Sequence, residues 1–100
     1  MLFQVISTPR AEQPSKARGN QRKFWPWYEK LEKSGVALSC YVRCGRGAIV
    51  VFDVDSNETL HRLINEWQEC VPAEFMVFPL VSRQHQQRLS RTGSPLSRKR

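Results

Sequence analysis

Three residues in the middle and second half of the chain have side chains that could bind an anion or transfer a proton. Tyr41 and Arg43 lie two residues apart, and Glu74 follows later. The phenol and the guanidinium could orient an anionic substrate and stabilise an enolate oxygen, and the carboxylate could act as a base if burial raised its pKa. Cross-strand packing, an exposed ion pair and a solvated carboxylate are the structural alternatives. These three residues are therefore the candidate catalytic residues.

The cysteines and one histidine form a second set with chemical potential. Cys40, Cys44 and Cys70 include no pair with the Cys-x-x-Cys spacing of zinc sites. Cys40 and Cys44 lie on one predicted strand, where four residues span about 13 Å, well beyond the roughly 7 Å limit for a disulfide. We expect reduced thiols, no metal and no other cofactor. His61 lies one position off the apolar stripe of its predicted helix, which favours a surface position.

Aromatic residues cluster just before the middle of the chain. Trp25, Trp27 and Tyr28 would suit a flat aromatic or polyketide-like ligand. Packing of a helix on a sheet, or at a dimer interface, explains them equally well. Trp25 and Tyr28 are taken as candidate substrate-binding residues.

A strand that runs almost directly into a helix dominates the middle of the chain. Residues 48–54 carry β-branched and aromatic types at successive positions, so both faces of the predicted strand should be covered, which places it centrally in a sheet. Asp55 with Glu58 three positions later is a helix N-cap signature. The helix predicted over residues 56–68 turns one apolar stripe inward, formed by Leu60, Leu63, Ile64 and Trp67.

The segments before this unit predict a strand, a loop, a helix and a second strand. We expect a strand over residues 2–7 and a polar loop over residues 10–20. Apolar residues at helical spacing predict a helix over residues 21–34, with Pro26 in its first turn or at a kink and Gly35 as its stop.

The later segments complete the topology. A strand over residues 36–44 should pair with the central strand through the turn at residues 45–47. The last strand, over residues 74–81, contains Pro79, which favours a sheet edge or a bulge. The order β-α-β-β-α-β predicts an α+β, ferredoxin-like fold in which two helices cover one face of a four-stranded antiparallel sheet.

The net charge of +7 is unevenly distributed along the 100 residues. Residues 83–100 hold six basic side chains and no acidic one, whereas residues 24–82 hold five basic and eight acidic side chains. We therefore predict one folded domain over residues 1–82 and a basic tail over residues 83–100 that is flexible or partly helical. The folded part lacks the uniformly basic face typical of nucleic-acid modules.

The location expected from the sequence is the cytoplasm. No apolar run approaches the roughly 20 residues needed to cross a bilayer, and the N-terminal residues look like a strand rather than a signal peptide. A membrane partner is therefore not expected.

Several short motifs resemble the muconolactone isomerase family. They are the opening Met-Leu-Phe, the block Val-Phe-Asp-Val-Asp-Ser-x-Glu-x-Leu-His-x-Leu over residues 51–63, and Phe-Pro-Leu at residues 78–80. The resemblance covers residues 1–82 and implies a dimeric α+β barrel, in which two ferredoxin-like sheets pack face to face, sometimes within larger assemblies. It also implies isomerisation of a small unsaturated lactone, or a related cyclisation, by proton transfer next to a carbonyl.

In such a barrel a partner subunit would close one face of the sheet and leave a small-molecule cavity between sheet and helix, with that face on the interior side. The predicted interior residues are Gln4, Ser39, Tyr41, Arg43, Glu74, Met76 and Phe78. Gln4, Ser39, Met76 and Phe78 thus join Trp25 and Tyr28 as candidate substrate-binding residues. The resemblance also implies a proton-transfer group on the first helix, where this chain has aromatic residues with Glu29 and Glu32 further along.

Two other functions remain open at the level of sequence. The chain could be a non-catalytic ligand-binding or assembly protein on the same fold. An RNA-recognition module shares the element order, but the early positions of the central strand are Ala48 and Ile49 rather than stacking aromatics, and only Phe52 remains. Nucleic-acid contact is therefore expected to be weak, salt-sensitive and confined to the basic tail.

Overall fold

The computed structural model describes residues 1–10 and 14–92 and shows a four-stranded antiparallel sheet with strand order β2-β3-β1-β4. The ferredoxin-like α+β fold predicted from the sequence is confirmed, with β3 and β1 central and β4, which carries Pro79, at an edge. The elements in chain order are β1 (Leu2–Pro9), α1 (Pro14–Lys33), β2 (Ala37–Val42), β3 (Ala48–Asp53), α2 (Asn57–Cys70), β4 (Ala73–Leu80) and α3 (Arg83–Thr92).

Helix α1 is longer than the sequence predicted. The loop expected over residues 10–20 is wrong from Pro14 onward, because the helix begins there rather than near residue 21. A proline in the first turn loses no helical hydrogen bond, and the segment that follows contains alanine, lysine and arginine, which favour helix. The part of the loop at residues 11–13 lies outside the described residues. Pro26 lies inside the helix, and Gly35, at φ 83°, follows its end as expected.

The junction between β3 and α2 folds as predicted, with the cap one residue later. Ser56 has an extended backbone and its hydroxyl accepts a hydrogen bond from the Thr59 amide at 3.2 Å, so Ser56 rather than Asp55 is the N-cap. Asp55 instead accepts a hydrogen bond from the Thr59 hydroxyl at 2.6 Å. That bond, with a second from the Ser56 hydroxyl, lowers the pKa of the Asp55 carboxyl.

Replacing the cap residue should weaken the domain without changing its fold. We expect Ser56→Ala to lower the free energy of unfolding by about 1 kcal/mol, because the Thr59 amide loses its acceptor. Urea denaturation followed by circular dichroism measures this change. Asn57→Ala, at an exposed position one residue on, is the control, and an equal loss in both variants would contradict the assignment of the cap.

The core lies on one side of the sheet, between the strands and helices α1 and α2. Val5, Val50 and Phe52 are fully buried in the sheet, and Trp67 of α2 contacts Phe52 with ring centroids 6.3 Å apart. The inward stripe predicted for α2 is confirmed, with Leu60, Leu63 and Trp67 buried and Ile64 half-buried. The two helices are also joined by the Trp27 indole N–H, which donates to the Glu66 carboxylate at 2.8 Å.

An irregularity near the start of β2 interrupts the alternation of its side chains. The pairing of β2 with β3 shifts register between Ala37 and Ser39. Strict alternation would place Ala37 on the same face as Ser39, yet Ala37 is buried in the core and Leu38 is exposed. A bulge of this kind inserts one unpaired residue and reverses the alternation beyond it.

No helix within the described ranges is long and apolar enough to cross a membrane.

Candidate functional site

A half-open cavity of about 80 Å³ lies between the sheet and its helices. It sits where the ends of β1 and α2, the middle of α1 and the turn between β2 and β3 meet. The residues that line it are Ser7, Pro9, Phe24, Trp25, Val42, Gly45, Arg46, Gly47, Ala48, Trp67 and Val71. An engineered cavity of about 150 Å³ holds benzene, so a ligand here would fill the cavity and extend through its open side.

Aromatic rings form one wall of this cavity. Phe24 packs edge-on against Trp25, with ring centroids 4.9 Å apart, and lies 5.5 Å from Trp67. Phe24 and Trp67 are buried, whereas Trp25 is 39% exposed. The wall therefore has a rigid inner part and one ring at the opening, an arrangement that suits a flat and mostly apolar molecule.

The buried polar group of the cavity is Ser7. Its hydroxyl accepts a hydrogen bond from the Ala48 amide at 2.9 Å and donates to the Ala48 carbonyl at 3.4 Å. A hydroxyl has one donor and two acceptor positions. These two bonds leave Ser7 one acceptor position, so it can take a hydrogen bond from a ligand donor.

The turn between β2 and β3 forms the opposite wall and is held against β1. The Arg43 guanidinium donates to the Ser7 carbonyl at 2.9 Å and to the Thr8 hydroxyl at 2.8 Å. Arg46, within the turn, donates to the carbonyl of Arg10. Gly47 has φ 110°, and a side chain there would collide with the Ser7 carbonyl. Glycine at this position therefore allows the close approach that shapes the cavity.

The two glycines of the turn should differ in their tolerance of alanine. Both Gly45 and Gly47 have positive φ, but nothing lies within 4 Å of a side chain added at Gly45. Alanine would be strained by the positive φ at both positions, but only at Gly47 would it also collide with the Ser7 carbonyl. Gly47→Ala should therefore lower the free energy of unfolding by about 1–3 kcal/mol more than Gly45→Ala. Urea denaturation of the two variants measures the difference. Equal stability of the two variants would show that Gly47 does not lie in close contact with the Ser7 carbonyl of β1.

The strand register places the predicted interior residues on the sheet face opposite the helices, which we call the open face. Gln4 pairs with Val51 and with Phe78, and Val51 pairs with Ser39, so these side chains form one row across the sheet. The next row contains Tyr41, Ile49, Ile6 and Met76.

The three candidate catalytic residues are spread across this face. Tyr41 and Glu74 lie on β2 and β4, the two edge strands. Three strand spacings, about 14 Å, separate these strands, and Glu74 lies one row beyond that of Tyr41. Glu74 pairs with Thr8, and the Arg43 guanidinium bonds to the Thr8 hydroxyl. The fold thus brings Arg43 toward the row of Glu74 and leaves Tyr41 apart. Both Tyr41 and Glu74 are exposed.

The two aromatic candidates on α1 have different surroundings. Trp25 lines the cavity. Tyr28 is buried in the core, 4% exposed, and its hydroxyl has no hydrogen-bond partner among the described residues. Burial raises the pKa of the Tyr28 phenol, and the nearby Cys40 and Glu32 raise it further. Tyr28 therefore belongs to the core and not to the cavity wall.

The cavity wall offers few groups that could transfer a proton. No carboxylate or imidazole lines it among the described residues. Glu29 and Glu32 on α1 are exposed, and His61 is exposed as expected. Cys40, Cys44 and Cys70 are free thiols outside the wall. What the wall offers is apolar area, the Ser7 hydroxyl and Arg46, which suits binding better than proton transfer.

Sequence reasoning missed most of the cavity. Phe24 and Trp67 were assigned to packing, and Ser7 and Ala48 lie on strands whose cavity side depends on the register. The signal that could have identified the region is Gly45-Arg46-Gly47, since two glycines in one hairpin turn indicate either unusual dihedral angles or a close backbone approach.

A comparison with protein families decides the classification. A family described as a domain of unknown function, DUF3303, matches residues 1–93. The chain belongs to the DUF3303 family. A search of curated proteins gave no significant match. The DUF3303 match covers the whole sheet, α1 and α2, and it extends through α3, so α3 lies within the family's domain.

Proposed function

We propose that this DUF3303 chain forms a dimer through its open face and binds a small, flat, largely apolar molecule in the cavity between its sheet and helices. The observation that supports binding is the aromatic wall of Phe24, Trp25 and Trp67 beside the buried Ser7 hydroxyl. Small-molecule sites typically combine an apolar wall with a few fixed polar groups.

The dimer is supported by the composition of the open face. On the open face the two central strands present the aliphatic residues Leu2, Ile6, Ile49 and Val51, and the edge strand β4 adds Met76, 55% exposed, and Phe78, 41% exposed. An exposed apolar patch of this kind, bordered by polar residues, marks an interaction surface in soluble proteins. A second copy placed by a two-fold axis would cover it with an identical face. This is the barrel architecture that the muconolactone isomerase resemblance implies.

Intrinsic tryptophan fluorescence tests the binding proposal, because Trp25 and Trp67 line the cavity. Flat aromatic acids, phenols and unsaturated lactones should quench this emission in a saturable way. Linear quenching by every compound, with no saturation, would contradict a defined cavity site. The compounds that saturate would define the ligand class.

Proton-transfer isomerisation or cyclisation in the same dimer is the second candidate. It is favoured by the strand, cap and helix over residues 51–63, which carry the resemblance, and by Arg43, which follows β2 and reaches Thr8 in the row of Glu74. In this function Arg43 would stabilise an enolate oxygen and Glu74 would move the proton. Tyr41 would orient the substrate from the partner's side of the barrel.

Kinetic assays separate this enzyme from a binding protein. Turnover of unsaturated lactones or polyketide-like substrates, measured by absorbance, should fall at least about a hundredfold in Arg43→Ala and in Glu74→Gln if both take part in the reaction. Tyr41→Phe should raise KM more than it lowers kcat. Saturable binding without turnover of any bound compound would support the binding function alone.

A further inference from the structure

Helix α3 has no place in the core or in the cavity. Every residue from Arg83 to Arg91 is exposed. Ser82 precedes the helix, and its hydroxyl accepts a hydrogen bond from the His85 amide at 3.1 Å. Helix α3 has ten residues, and those from Arg83 to Arg91 are all exposed, so burial contributes little to its stability and a helix this short is marginal in water. A contact surface outside the described chain would therefore stabilise it.

The side chains of α3 are sorted by type around the helix. At 100° per residue, all three arginines and two of the glutamines fall within an arc of about 140°, which we call the Arg–Gln face. It consists of Arg83, Gln84, Gln87, Arg88 and Arg91. His85, Gln86 and Leu89 lie on the other side.

The charge and polarity of this face select the class of partner. Residues 83–100 contain no acidic side chain, so the face suits a polyanion. The helix contains one aliphatic residue, Leu89, which is too little for the apolar face of a membrane-surface helix. Arginine and glutamine are side chains that contact phosphates and base edges in nucleic acids.

The sheet does not provide a competing nucleic-acid platform. Phe52, the aromatic residue on the central strand, is fully buried beneath the helices. The open face of the central strands carries aliphatic residues and Gln4 in place of stacking rings. The central strands therefore offer no base-stacking platform, and the segment from α3 onward, which is basic and has no acidic side chain, is the better candidate for contact with nucleic acid.

We propose that the Arg–Gln face of α3 binds double-stranded DNA, with its arginines on the phosphates. Ten helical residues extend about 15 Å and fit the major groove of B-form DNA, whereas the major groove of duplex RNA is too deep and narrow for side chains to read. Most of the affinity would come from charge, so binding is sequence-tolerant and weakens with salt. The proposal is independent of the cavity and its ligand.

Fluorescence anisotropy with a labelled DNA duplex of about two helical turns tests it on the full chain. Neutralising three phosphates predicts a slope near −2.7 for log affinity against log salt, which is a loss of about 40-fold between about 50 and 200 mM salt. The double variant R83Q/R91Q should lose about tenfold in affinity at the lower salt and flatten the slope by about 1.8. Circular dichroism verifies that the variant keeps its fold.

A control variant that removes the same number of positive charges from another helix shows whether DNA binding depends on α3 or only on net charge. K30Q/K33Q removes two positive charges from exposed positions near the end of α1 and should keep most of the affinity. Equal losses in the two double variants would show that net charge alone binds DNA and would overturn the proposal. The proposal would also be overturned if the chain bound no DNA, or if it bound duplex RNA or anionic lipid vesicles as tightly as DNA. It would be overturned as well if only the variant R98Q/K99Q/R100Q lost affinity for DNA.

Discussion

We expect the Phe78→Asp variant to sediment as a monomer while the wild-type chain sediments as a dimer. Phe78 lies on the open face in the row of Gln4 and Val51. In a two-fold dimer the substitution buries two uncompensated carboxylates in an apolar interface, each at a cost of several kcal/mol. The dissociation constant should therefore rise by at least about a thousandfold, which corresponds to about 4 kcal/mol.

The neighbouring residue provides a matched control. Val77 is 40% exposed and Phe78 41%, but Val77 pairs with Val5 and so lies on the helix side of the sheet. Val77→Asp should leave the dimer intact. Sedimentation equilibrium across a concentration series distinguishes the two, with urea denaturation to verify folding. Dissociation in both variants, or in neither, would contradict an interface formed by the open face.

Replacing Trp25, whose ring lies at the cavity opening, should weaken ligand binding more than replacing Trp27. Trp25 lines the cavity, whereas Trp27 points to α2 and donates to Glu66. An aromatic contact is worth about 0.5–1.5 kcal/mol, so Trp25→Ala should weaken binding of a compound that saturates the wild type by up to about tenfold. Isothermal titration calorimetry measures this loss without relying on tryptophan emission.

The control for this prediction is Trp27→Ala. It removes a ring of the same type and a hydrogen bond between the helices, so it should lower stability while leaving the ligand affinity within about twofold. A loss of affinity in Trp27→Ala equal to that in Trp25→Ala would indicate that the ligand binds elsewhere, or that the cavity depends on the helix contact more than on its wall.

The sequence predicted the sheet, its central strand and the α2 stripe because these follow from local periodicity. Successive apolar residues in β3 can only be covered on both faces in a central strand, and the inward stripe of α2 has helical spacing. The boundaries were less predictable. The start of α1 was missed because proline and serine are compatible both with a loop and with the first helical turn.

The candidate site depended on contacts between residues far apart in sequence, which periodicity does not encode. The open face was predicted from alternation, and the register agrees. A cavity between sheet and helix was expected, but most of the residues that line it were not, because the approach of Gly47 to Ser7 joins residues far apart in the chain. For Tyr28 the sequence left ligand contact and packing open, since helical spacing shows that it faces inward but not whether it meets the core or a cavity.

The central claim is that a small, flat molecule binds between the sheet and its helices, and amide NMR spectra of the isotope-labelled chain test it most directly. Titration with a compound that saturates fluorescence quenching should shift the amides of Ser7, Trp25, Gly47 and Ala48 together, with one dissociation constant. Shifts confined to the open face, around Gln4, Ser39 and Phe78, or scattered shifts without saturation, would contradict it.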